Sequence, residues 1–127
     1  MRCFAIAILF AALAVPALAE KKLTPEELRD LLEKNDTSKI FLLDVREPNE
    51  LEETGAIKGH VNIPISQLEK RLREVPKNKI IVTYCMLGIR AGRAAEILEK
   101  NGFEVFGSCG IVPWKEKGFP TVQPQKK

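Results

Sequence analysis

The chain has 127 residues, 29% of them charged and 45% hydrophobic, with a formal net charge of +3 from 20 basic and 17 acidic side chains. That near balance excludes a strongly basic nucleic-acid-binding surface, and the charges are interspersed along the expected helices as on solvated faces. The apolar share is enough for one ordinary core.

Residues 1–19 read as a cleaved secretory signal. Met1-Arg2 is a short positive start, Cys3 to Val15 is almost wholly apolar, and Ala17-Leu18-Ala19 supplies the small-x-small cleavage pattern. The apolar run is shorter than the ~20 residues a membrane-spanning helix needs. Cleavage would leave residues 20–127 as a single secreted or periplasmic domain with no membrane span. Its core would be about residues 23–122, followed by a polar tail. Cys3 would leave with the signal. Cys85 and Cys109 would stay, and two cysteines in a small exported domain suggest one disulfide by default.

Thr24-Pro25-Glu26-Glu27 predicts a helix with a capping box and Pro at its first position. Leu28, Leu31 and Leu32 give it an apolar stripe. Ile40-Phe41-Leu42-Leu43 is an unbroken apolar run, as in a strand covered on both faces, ending at Asp44-Val45-Arg46. Pro48 to Thr54 reads as a short helix stopped by Gly55. Val61 to Ile63 reads as a short strand ending at Pro64. Ser66 is expected to cap a helix from about Gln67 to Val75. Lys79 to Tyr84 predicts a second buried strand, and residues 88–101 contain the next helix, with Ala94, Ala95, Ile97 and Leu98 on its buried side. Gly102 is a good helix stop. Phe103 to Phe106 is the next expected strand, and Val112 to Lys117 a last short helix. Strands alternating with helices imply an α/β fold with a parallel sheet and right-handed crossovers. In such sheets ligands bind beyond the carboxyl ends of the strands. Asp44 to Arg46, Cys85 to Arg90 and Ser108 to Gly110 all fall at that end.

Cys85 directly follows a buried strand. The turn Met86-Leu87-Gly88-Ile89 then leads to Arg90 at the start of a helix. Backbone N–H groups of such a turn converge on its centre, and the helix N-terminus adds partial positive charge. That setting favours a thiolate without a His base. Gly88 permits the tight turn, and Arg90 adds a cation suited to an oxyanion.

At this point the sequence resembles the rhodanese family. Leu42-Leu43-Asp44-Val45-Arg46-Glu47-Pro48-Asn49-Glu50 is similar to its Asp-Val-Arg signature, and residues 55–64 resemble its segment Gly-His-Ile-x-Gly-Ala-x-Asn-Ile-Pro. Tyr84-Cys85-Met86-Leu87-Gly88-Ile89-Arg90 matches its Cys-x-x-Gly-x-Arg loop, and Cys109-Gly110-Ile111-Val112-Pro113-Trp114 resembles its Gly-Gly-Ile-x-x-Trp segment. The resemblance covers roughly residues 23–122. It implies the rhodanese fold, a central parallel sheet of about five strands with helices on both faces. It also implies a sulfurtransferase in which Cys85 takes sulfane sulfur as a persulfide and passes it to a nucleophilic acceptor. The N–H groups of Met86, Leu87, Gly88, Ile89 and Arg90 would hold the anion. The expected partners are a small sulfur-donor anion or a persulfide, and a thiol or cyanide-like acceptor. No metal and no cofactor is expected, because the intermediate is covalent.

The sequence departs from the family at two places. Ala56 stands where the family has His, and His60 stands where it has a small residue, so His60 reads as structural or solvent-facing. Cys109 replaces the first Gly of the Gly-Gly pair, a site where a side chain could be strained. Met86, Leu87 and Ile89 also make the loop apolar, which weakens the case for thiosulfate as donor. Asp44 is expected to cap neighbouring amides or orient Arg90, Arg46 to pair with Glu47 or Glu50, Arg93 to be solvated, and Trp114 to be core. Rival functions are a non-enzymatic binding module and a thiol–disulfide protein using Cys85 with Cys109 as a resolving thiol. A phosphatase or arsenate reductase on the same scaffold would need a wider loop than the four residues between Cys85 and Arg90.

Overall fold

The computed structural model describes residues 21–124, so the expected signal segment lies outside the described residues. Helix α1 (Pro25–Lys34) starts on the expected capping box: Glu27 N donates to Thr24 Oγ1 at 3.1 Å, and Thr24 N to Glu27 Oε1 at 3.4 Å. Then follow β1 (Ile40–Asp44), α2 (Pro48–Thr54), β2 (His60–Asn62) and α3 (Ile65–Leu68). The chain continues through β3 (Ile80–Cys85), α4 (Ile89–Lys100), β4 (Val105–Gly110) and α5 (Ile111–Glu116).

The strands form one parallel sheet in the order β2-β1-β3-β4. Four strands among the described residues stand close to the expected five. A further segment pairs with the outer edge of β4, where Leu23 N donates to Ser108 O at 2.7 Å and Ser108 N to Lys21 O at 2.9 Å. An edge covered in this way is no longer open to pairing with another chain.

The sheet buries both faces, which is why its central strands are continuous apolar runs. Phe41, Leu43, Val45, Ile81 and Cys85 pack with Ala91, Ala94 and Leu98 of α4. Their neighbours Leu42, Val82, Tyr84 and Cys109 pack on the other side with Leu28, Ile111 and Trp114. The central strands β1 and β3 therefore feed two separate cores by alternation.

Two elements differ from expectation. The segment after Pro64 is not one helix capped by Ser66. It begins as α3, with Pro64 as its cap, and resumes as a 3₁₀ turn at Leu72–Glu74, because Arg71 (φ −120°, ψ 21°) leaves helical geometry between them. Strand β4 runs on to Gly110 instead of stopping at Phe106. Gly107 is not a strand stop. A Cβ there would lie 2.7 Å from both Leu23 Cγ and Lys21 O, so this glycine admits the close passage of the covering segment. At the end of the expected core, Val122 N and O exchange hydrogen bonds with Ala56 at 2.7 and 2.9 Å.

Candidate active site

The carboxyl ends of β1, β3 and β4 bring Asp44, Cys85 and Gly110 side by side. Gly88 caps α4 with φ of 108°, a left-handed conformation that favours glycine, and so turns the loop back over the end of β3. Cys85 Sγ then accepts hydrogen bonds from Gly88 N at 3.0 Å and Ala91 N at 3.3 Å. Its residue is 1% exposed. Two main-chain donors at the start of a 12-residue helix thus meet the sulfur: Gly88 is one of the five expected, and Ala91 lies one residue beyond them.

The loop side chains divide in two directions. Met86 packs against the core beside Trp114, and its sulfur lies 3.6 Å from Arg46 Nη1. Leu87 and Ile89 face solvent, each 67% exposed. The loop backbone rests on Gly110, where a Cβ would meet Met86 O at 2.7 Å and the Leu87 backbone at 2.9 and 3.0 Å. Val112 N donates to Met86 O at 3.0 Å and fixes that contact. A cleft of about 370 Å³ flanks the loop between Leu87, Ile89, Arg93, Glu96 and Pro113. A larger one of about 1360 Å³ lies at the opposite end of β3 and β4, around Lys79, Phe103 and Phe106, away from Cys85.

Asp44 and Arg46 are both fully buried and paired to each other. Arg46 Nη2 donates to Asp44 Oδ2 at 2.6 Å, and Nε and the backbone N of Arg46 donate to Oδ1 at 3.0 Å. This corrects the expected pairing of Arg46 with Glu47 or Glu50. The turn after β1 folds Arg46 back onto the strand end, over the Tyr84 ring. Its remaining donors go to Thr54 Oγ1 at 2.7 Å and Gly55 O at 2.9 Å, which clamps α2 in place. Burial lowers the pKa of this guanidinium, but the bonds and charge of Asp44 outweigh it and leave it raised. Asp44 caps the Arg46 amide, as expected, and makes no hydrogen bond to Arg90.

Arg90 is not an unpaired cation in the loop. Its Nη1 and Nη2 donate to Glu50 Oε2 and Oε1 at 2.8 and 2.6 Å. The bonds from Arg90 dominate over desolvation and hold the Glu50 carboxyl down at about 2. Sequence reasoning missed Glu50 as part of the site. The spacing Glu47-x-x-Glu50 signals a capping box that fixes Glu50 at the start of α2, but not its partner on the Cys85 loop.

Cys109 and Cys85 are both free. The register pairs Tyr84 with Cys109 and Cys85 with Gly110, so the two thiols fall on opposite faces of the sheet. A bridge needs Cβ vectors that converge. The default disulfide and a direct resolving role for Cys109 therefore both conflict with this geometry. Cys109 carries no backbone strain either: among the described residues, positive φ is confined to glycines. His60 is buried, with Nδ1 2.9 Å from Ile57 O. It is structural and not solvent-facing. Trp114 is core, and its Nε1 donates to Pro120 O at 2.8 Å. Arg93 is exposed. Among the described residues no three His, Cys, Asp or Glu side chains come together as a metal site, and no helix is long and apolar enough to cross a membrane.

The model of the rhodanese-like domain matches residues 24–117. An uncharacterized protein of Bacillus subtilis, YqhL, is 42% identical over 105 residues, covering 76% of this chain and 79% of that one. A sulfurtransferase of Allochromatium vinosum is 32% identical over 92 residues, covering 71% and 85%. The crystal structure of a rhodanese-related protein from Thermoplasma volcanium superposes with a TM-score of 0.72 at 30% identity, over 82% of this chain and 99% of that one.

Proposed function

The chain belongs to the rhodanese-like domain family, and from that premise we propose that it is a sulfurtransferase with Cys85 as its sulfur-carrying nucleophile. The observation that carries the reading is the pair of main-chain N–H groups, from Gly88 and Ala91, aimed at Cys85 Sγ. Such donors favour sulfur as an anion, the form that attacks. In the first step the Cys85 thiolate attacks the outer sulfur of a donor. The donor's S–S bond breaks, its electron pair leaves with the rest of the donor, and Cys85 becomes a persulfide. In the second step a thiol or cyanide-like acceptor attacks the outer sulfur, and the Cys85 thiolate is released. Sulfur moves without net oxidation, so the cycle needs no redox cofactor. The loop N–H groups serve both steps, because each begins or ends on an anion at the same atom.

The proposed setting is secreted or periplasmic, on the strength of the apolar segment and small-x-small site in residues 1–19. A thiol–disulfide function finds no support in thiols that face opposite sides of the sheet. The test is intact mass spectrometry after incubation with thiosulfate or polysulfide. A gain of one sulfur, lost on treatment with cyanide or thiol and absent in Cys85→Ser, is the expected result. An unmodified wild-type protein with both donors and with an alkyl hydropersulfide as well would overturn the reading in favour of a binding module.

A further inference from the structure

Arg90 is the cation of the Cys85 loop, yet both of its terminal nitrogens are already committed. Glu50 holds them by two short bonds, in the fork geometry that suits guanidinium and carboxylate. The carboxylate is itself mounted rigidly. Glu47 N donates to Glu50 Oε2 at 2.8 Å, at the start of α2. Helix α2 is in turn tied to the core by the buried Arg46, which reaches Thr54 and Gly55 at its far end. A chain of fixed contacts therefore runs from Asp44 through Arg46 and α2 to Glu50, and ends on Arg90. The last pair differs from the first in its exposure. The Arg90 and Glu50 side chains are 31% and 23% exposed, so solvent and solutes reach them, whereas Asp44 and Arg46 are sealed at 0%.

We infer that Glu50 is a specificity-determining residue: by occupying the Arg90 guanidinium it withholds the loop's cation from doubly charged sulfur donors and favours singly charged or neutral organic persulfides. The inference rests on the reading of Cys85 as the sulfur acceptor. Thiosulfate carries two negative charges and approaches a thiolate. Its transfer, thiosulfate plus Cys85 thiolate giving Cys85 persulfide plus sulfite, gathers three negative charges at the site and needs a cation free to meet them. Here the Glu50 carboxylate cancels that cation and adds its own repulsion. An organic hydropersulfide needs no such cation. It passes its outer sulfur to the Cys85 thiolate and leaves as a thiolate, with one charge throughout. The exposed Leu87 and Ile89 offer its organic part an apolar contact on the same loop.

The test compares wild type with Glu50→Gln, which keeps an oxygen for the Glu47 amide but removes the charge. The kcat/KM for thiosulfate and for a small alkyl hydropersulfide is measured for each. The ratio of thiosulfate to persulfide should rise about tenfold in the variant, the scale expected for freeing one charged hydrogen-bonding group, and its thiosulfate rate should become more sensitive to salt. An unchanged or lower ratio overturns the inference. A second measurement does not require sulfur transfer: inorganic sulfate should slow alkylation of Cys85 by iodoacetamide in Glu50→Gln and not in wild type. Sulfate protection without any sulfur transfer would sustain the counter-ion role and sink the transferase reading. Transfer without a change in ratio or protection would do the reverse. Should Glu50→Gln fail to fold, Glu50→Asp shortens the reach to Arg90 and should move ratio and protection the same way by a smaller factor; no movement in that variant overturns the inference.

Discussion

Cys85 and Cys109 are one register step apart on adjacent strands, and both are buried, at 1% and 4% exposure. Burial therefore does not distinguish them. What differs is the polarity of their surroundings. Cys85 is followed by a left-handed Gly88 and a 12-residue helix, so its sulfur accepts two N–H bonds. Cys109 is followed by Gly110 in extended backbone, and its sulfur sits 3.6 Å from the Gly110 carbonyl oxygen, as a donor. Burial pushes the Cys109 thiol up from its ordinary range, and a smaller backbone hydrogen-bond contribution from Gly110 only partly opposes it. One thiol is surrounded by groups that welcome an anion and the other by groups that resist it. The lesson is that the turn leaving a strand, and not the end of the strand itself, prepares a nucleophile.

The largest effect should come from exchanging the two thiols one at a time. Cys85→Ser should lower sulfur transfer by at least about a thousandfold, as loss of a covalent nucleophile does. Cys109→Ser should keep the activity within about threefold, because its sulfur faces the other core and is placed outside the chemistry. Mild oxidation of wild type followed by peptide mapping should give no Cys85–Cys109 peptide, since a bridge would require one strand to turn over. Equal losses in the two variants, or an intramolecular bridge, would break the contrast.

A smaller effect separates two glycines of β4 as supports. Gly110 lies under the loop, and its missing Cβ is what lets Met86 and Leu87 pass. Gly110→Ala should displace the loop and lower transfer by about ten- to a hundredfold, the scale of a misplacement near 1 Å. Gly107→Ala has an equally close clash, but with Leu23 and Lys21 at the covered edge. It should lower the urea midpoint with a much smaller loss of kcat. Equal losses of kcat in the two folded variants would mean that the loop does not depend on its seat.

How far the sequence revealed all this depended on how local the cause was. The α1 capping box, the apolar runs of β1 and β3 and the turn at Gly88 follow from neighbouring residues, and each is found where the residues place it. The Cys85 cradle was legible for the same reason, since strand, turn and helix start are contiguous. Glu50 was not, because its partner lies 40 residues away and the pairing exists only once β1 and β3 are neighbours. Arg46 was misjudged for a related reason. Charged residues after a strand are usually solvated, and nothing local says that this one folds into the core. Gly107 and Gly110 lie beyond the expected end of the strand at Phe106. Their purpose is close approach by distant backbone, which a single sequence does not display. The opposite facing of the two cysteines became evident only with the strand register.

The smallest expected effect concerns the pH dependence of the Cys109 thiol. Its pKa is raised above the ordinary 9.0, with burial as the largest cause. The folded chain thus holds this proton more tightly than the unfolded chain does. The resulting stability is fully present below the unfolded value. It is lost as pH rises from there through the folded value, because only the unfolded thiol then gains by ionising. Wild type and Cys109→Ala should be compared by urea denaturation from pH 7 to 10.5. At pH 7 the variant should be less stable by about 1 kcal/mol, the ordinary cost of a small buried truncation. The difference should shrink above pH 9, since alanine has no proton to lose there. Tyr84, also raised chiefly by burial, is present in both proteins and cancels in the comparison. Parallel curves across the range would show that Cys109 ionises in the fold as it does in water, and the contrast between the two thiols would then rest on the hydrogen bonds to Cys85 alone.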